Sequence, residues 1–96
     1  MSDFSKILDE LAGVIADRKA NPREGSYTAK LFSGGVDRIL KKVGEEAGEV
    51  IIASKNGAPA EIVHEASDLL YHLLVLLAYH DIPLSEIARE LERRRG

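Results

Sequence analysis

Five carboxylates stand in two tight clusters, Glu45, Glu46 and Glu49 in "EEAGE" and Glu65 and Asp68 in "EASD". Glu46 and Glu49 are three residues apart, and Glu65 and Asp68 repeat the interval. On a helix such pairs are neighbours and can aim at one point. Carboxylates repel one another, and several of them beside apolar surface are costly unless something compensates. All-oxygen ligation suits a hard divalent cation, Mg²⁺ first and Mn²⁺ second. The compensating charge is therefore expected to be a metal. Acidic residues at this spacing are ordinarily a solvated face, and either cluster alone carries that default. Two clusters matched across one hairpin are much harder to explain that way.

The matching depends on the helices that hold them. Place residues 36–55 on a wheel at about 100° per residue. Ile39, Leu40, Val43, Ala47, Val50 and Ile51 fall on one broad side. Arg38, Lys42, Glu45, Glu46 and Glu49 fall on the other, basic groups first and acids a turn later. Asn56-Gly57 supplies a left-handed helix stop, and Pro59 suits the first turn of the next helix, which is expected to run to about His80. In that helix Glu61 and His72 extend the stripe of Glu65 and Asp68, and the remaining circumference is nearly all apolar. A short link makes the two helices antiparallel. Glu49 lies about two turns before the link, and Glu65 and Asp68 about two turns after it, so their heights match. Gly44 and Gly48 are read as points of close helix approach.

The rest of the chain reads as helix too. Ser2 or Asp3 can cap a first helix with Phe4, Ile7, Leu8, Leu11, Val14 and Ile15 in helical period, ended by Asn21-Pro22. A short helical turn is expected from Ser26. Asp81-Ile82-Pro83 breaks the chain before a last helix from Leu84 or Ser85, whose "ERRRG" tail is expected to fray. No strand pattern and no internal repeat appears. The expectation is one all-α domain over residues 1–96: a four-to-five-helix bundle centred on two long antiparallel helices and completed by oligomerisation.

Composition sets the outer limits. The chain has 96 residues, no cysteine and a formal net charge of −3. That excludes a disulfide framework and a thiolate metal site, and argues against a general nucleic-acid binder. "MSDFSKILDE" is too acidic for a secretory signal. The longest apolar run, Leu73 to Tyr79, is far below the roughly 18 residues of a membrane span. A cytoplasmic protein without membrane partners is expected.

The pattern Glu-Glu-x-x-Glu followed by Glu-x-x-Asp resembles the signature of the all-α nucleoside triphosphate pyrophosphatases, the MazG-like superfamily. The longer strings "GSYTAKLFSGGVDRILKKVGEEAGEVIIASKN" and "EIVHEASDLLYHLLVLL" resemble the phosphoribosyl-ATP pyrophosphatase family in particular. The likeness runs from Ser2 through Leu91. It implies hydrolysis of phosphoribosyl-ATP between the α and β phosphates to phosphoribosyl-AMP and pyrophosphate, the second step of histidine biosynthesis. It implies a free-standing enzyme, without the cyclohydrolase fused to it in some organisms. Divalent ions would bridge acidic side chains and polyphosphate. On this reading Glu46, Glu49, Glu65 and Asp68 are metal ligands. Glu45 and Glu49 are the catalytic candidates, with Glu45 orienting water or holding a second ion. Lys30, Arg38, Lys42, Ser26 and Thr28 are candidates for meeting phosphate oxygens.

Three other readings compete. A house-cleaning hydrolase of non-standard nucleoside triphosphates would use the same metal site. A di-iron carboxylate bundle would use Glu61-Ile62-Val63-His64, but such sites need two Glu-x-x-His motifs and two further glutamates. A non-catalytic helical interaction module leaves the matched acids unexplained. His64 and His72 are read as packing or supporting groups, Tyr71 and Tyr79 as core or interface, and Arg93-Arg94-Arg95 as solvated.

Overall fold

The computed structural model describes residues 3–96, and the alternative cap Ser2 lies outside them. Among the described residues five helices follow one another: α1 (Phe4–Ala20), α2 (Tyr27–Ser33), α3 (Val36–Asn56), α4 (Pro59–Tyr79) and α5 (Leu84–Arg94). There is no strand among the described residues.

Each boundary has a local cause. The Asp3 carboxylate accepts from the Ser5 and Lys6 amides at 3.0 and 3.3 Å, capping α1. Hydrogen bonds from the Ser5 hydroxyl and the Lys6 amide hold its carboxyl below the usual range. Ser26 caps α2 by accepting from the Ala29 amide at 3.1 Å. Gly57, at φ 82°, ends α3 in the left-handed region that glycine adopts without strain. Pro59 then opens α4. The link is only Gly57 and Ala58, so α3 and α4 form an antiparallel hairpin, the most extensive helix pairing in the molecule.

The core is small. Ile15 of α1, Leu31 of α2, Ile39 of α3 and Leu74 and Val75 of α4 meet at its centre. No residue of α5 is buried, and Leu84 alone reaches the core margin from that helix. By length and mean hydropathy α4 resembles a membrane span, although no apolar run in it is uninterrupted for that length. It serves as the central helix, packed on α1 and α3.

Three details depart from the sequence reading. The arginine tail is helical to Arg94, because Glu90 accepts from both Arg93 and Arg94. Gly44 and Gly48 meet no neighbouring helix within this chain. The inward line of α3 runs through Ile39, Glu46 and Ala53, whereas Leu40 and Ile51 point outward with 47% and 65% exposure. Residues 39, 46 and 53 repeat every two turns and share one line on the helix. The apolar arc of α3 is wider than one partner covers, so α4 occupies one edge of it and brings Glu46 inside.

Candidate active site

Glu46 is the buried carboxylate of the set, its side chain 12% exposed. Lys42, one turn earlier, places its ammonium 3.3 Å from Glu46 and 3.8 Å from Glu45. Partial burial by itself would lower the Lys42 pKa. The hydrogen bond to Glu46 and the nearby Tyr27, Glu46 and Glu45 outweigh it and hold the ammonium above its ordinary value. One positive charge is thus committed to this end of the carboxylate row.

A turn further along α3, Glu49 lines a cleft of about 440 Å³ whose opposite wall carries Glu61, His64 and Glu65 of α4. Ile52, Ala53, Asn56 and Ala60 complete the lining, and no lysine or arginine reaches it. Ligand atoms of His64, Glu65 and Asp68 lie within 4.8 Å of one another. Two carboxylates at that separation repel by on the order of 3 kcal/mol at an effective dielectric of about 20. The His64 ring, 70% exposed, stands 3.5 Å from Asp68 and 3.9 Å from Glu65. Oxygen donors from two helices around one opening, without a fixed cation inside it, fit a divalent ion.

The sequence-selected phosphate candidates are spread differently. Ser26 and Thr28 flank the start of α2, but Thr28 is buried and its hydroxyl is hydrogen-bonded to that of Tyr71. Thr28 therefore joins α2 to α4 and is turned away from solvent. The Ser26 hydroxyl oxygen is used as the α2 cap. Lys30 and Arg38 are exposed. The side chain of Arg38 lies across Gly34, at the corner between α2 and α3. Glu45 is exposed on the outer edge of the row.

Two features refine the sequence reading. Of the packing or supporting roles expected for His64, packing is excluded, since the ring sits in solvent beside Glu65 and Asp68. Its place at i, i+4 to Asp68 was the signal available. The second is a bond from Tyr27 to His72. The His72 ring is buried, and its Nδ1 lies 2.7 Å from the Asp68 carbonyl. A carbonyl only accepts, so Nδ1 carries the proton. In the neutral ring Nε2 then accepts the Tyr27 O–H, at 2.8 Å. Nothing in the linear sequence pairs residues this far apart.

Residues 8–95 match the family model described as phosphoribosyl-ATP pyrophosphohydrolase. The chain belongs to that family. It is 56% identical over 94 residues to the phosphoribosyl-ATP pyrophosphatase of Methanocella arvoryzae, covering 96% of this chain and 99% of the relative. It is 53% identical over 96 residues to the phosphoribosyl-ATP pyrophosphatase of Pelobacter propionicus, covering all of this chain and 89% of the relative. It is also 60% identical over 92 residues to the histidine biosynthesis bifunctional protein HisIE of Caldanaerobacter subterraneus, covering 96% of this chain and 45% of that longer protein. Membership of the phosphoribosyl-ATP pyrophosphohydrolase family favours the nucleotide-hydrolase reading of the cleft over the di-iron and interaction-module readings.

Proposed function

We propose that this protein is a cytoplasmic, divalent-metal-dependent phosphoribosyl-ATP pyrophosphatase. It hydrolyses phosphoribosyl-ATP to phosphoribosyl-AMP and pyrophosphate in the second step of histidine biosynthesis. The observation that carries the chemistry is the cleft with Glu49 and Glu65 on facing walls and no lysine or arginine in its lining. Such a cleft repels a triphosphate unless a cation is shared between them. Glu46, Glu49, Glu65 and Asp68 would hold Mg²⁺, with Mn²⁺ as the alternative. When bound, the ion neutralises phosphate oxygens and favours attack by water. Glu45, at the solvent edge of the row, would orient that water.

The basic residues give a direction to the bound chain of phosphates. Arg38 and Lys42 precede the acids by about one to two turns on α3. A triphosphate laid along the helix would have its reactive phosphorus at the acids and its remaining charge toward Lys42, Arg38 and Lys30. The β and γ phosphates are then held together as one leaving or attacked unit and come away as pyrophosphate. Lys42 is already paired with Glu46, so its part is shared between carboxylate and substrate.

Product analysis tests the reading. Phosphoribosyl-ATP beside a panel of ordinary nucleoside triphosphates should give pyrophosphate as first product from phosphoribosyl-ATP, with little turnover of the others. Equal turnover of the panel would point to a house-cleaning hydrolase. Orthophosphate released first, in a preparation free of contaminating pyrophosphatase, would overturn the assignment. Excess chelator should abolish turnover and added Mg²⁺ restore it.

A further inference from the structure

We propose that Tyr27 and His72 are positioning residues, whose hydrogen bond latches the first turn of α2 onto the turn of α4 that carries Asp68. α2 has seven residues, well short of the roughly 12–15 a helix needs to persist alone. It is bounded by Gly25 and Gly35, both at positive φ, so the chain on either side does not fix its direction. Its placement comes from side chains. Leu31 anchors its far end in the core. Its near end is held by Tyr27 on His72 and Thr28 on Tyr71.

His72 is suited to the task because neither of its nitrogens is spare. Nδ1 donates to the Asp68 carbonyl, and Nε2 receives the Tyr27 hydroxyl. The rings of Tyr27 and Tyr71 stand edge-on to it from two sides, with centroids at 5.8 and 5.4 Å. Such edge-to-face contacts fix ring orientation as well as adding attraction. The imidazole is therefore a rigid strut between α4 and α2, and the segment it steadies presents Ser26 and Lys30. Asp68 itself is kept in place by the α4 backbone with or without Tyr27. Loss of the latch should therefore weaken substrate docking and spare metal binding.

The substrate part of this inference rests on the proposed function, and the latch itself does not. Tyr27→Phe removes one hydroxyl and keeps the ring. The KM for phosphoribosyl-ATP should rise about fivefold to tenfold, the factor one neutral hydrogen bond commands, with kcat within about twofold. Mg²⁺ affinity, measured by calorimetry without substrate, should be unchanged. Amide exchange at Lys30 and Leu31 in the unliganded protein should quicken while α3 and α4 keep their protection. His72→Asn retains a donor for the Asp68 carbonyl but cannot reach Tyr27. It should raise KM similarly, and the double variant should be no worse than His72→Asn alone. Unchanged exchange in α2, an unchanged KM, or losses that multiply in the double variant would each overturn the latch. A wild-type enzyme that fails to cleave phosphoribosyl-ATP would instead remove the functional reading, and the exchange experiment would still decide the latch.

Discussion

At the residue scale, the acids of α3 are balanced in two ways. Glu46 is buried and has Lys42. Glu49 opens into a cleft without lysine or arginine and faces Glu65. Lys42→Met should therefore act first on stability. Removing one partner of a part-buried pair strands the other, and a cost of about 1–2 kcal/mol is expected in urea denaturation with chelator present. If Glu46 is a metal ligand, Mg²⁺ supplies the missing charge and should recover much of that loss. A deficit indifferent to Mg²⁺ would separate Glu46 from the metal. Asp68→Asn has the opposite sign. It removes one of two carboxylates within 4.8 Å of each other, so thermal stability in metal-free buffer should rise. Turnover should fall by at least about 100-fold, since losing a ligand costs no less than disturbing the residues that support one. A stable, fully active Asp68→Asn enzyme would remove Asp68 from the site.

At the element scale, the helices were legible because their ends are written in short local signals. Asp3, Asn21-Pro22, Gly57 and Pro59 act through their own backbone and neighbours, so a linear reading finds them. The matched heights of Glu49 and Glu65 also follow from helix rise and a two-residue link. What was not legible is rotation about the helix axis. The α3 arc from Ile39 to Leu40 and Ile51 reads as one apolar side, and only the packed α4 decides which edge turns inward. The arginine tail is solvated as expected, and it stays helical to Arg94 instead of fraying because Glu90 stands one turn before it. The Arg93 and Arg94 guanidiniums hold the Glu90 carboxyl below its usual range. A lowered folded-state pKa means the stabilisation is full above the unfolded value near 4.5 and is lost as pH falls through the folded value. Amide exchange across Leu91–Arg94, taken relative to its intrinsic rate, should therefore quicken only as pH falls below that unfolded value. In Glu90→Gln it should already be fast at neutral pH.

At the scale of the whole molecule, the surface does not close over the core. A compact monomer of this mass, 10.5 kDa, exposes about 5,400 Å². This chain exposes 6856 Å², about a quarter more than that expectation. Its radius of gyration of 14.4 Å likewise exceeds the roughly 12.5 Å of a compact domain of this length. Part of the excess is α5, which buries no residue. Part is the hairpin, where Leu40 and Ile51 of α3 and Val63 and Leu73 of α4 are all exposed. Leu40 and Ile51 lie roughly half a turn around α3 from Glu49, so the apolar edge faces away from the acidic cleft. Gly44 falls between them on that edge and leaves it smooth enough for another helix to approach closely. A standard interface removes about 800 Å² from each partner, which the excess exposed surface can supply. The expected form is a homodimer or larger assembly that covers this edge and leaves the cleft accessible. Sedimentation at micromolar concentration should show no stable monomer. Ile51→Asp, which puts a charge on the apolar edge without touching the core, should shift the population toward monomer and lower thermal stability, while Glu45→Gln at the opposite edge should do neither. A wild-type protein that sediments as a single monomeric species would refute the assembly, and the exposed edge of α3 would then need another partner.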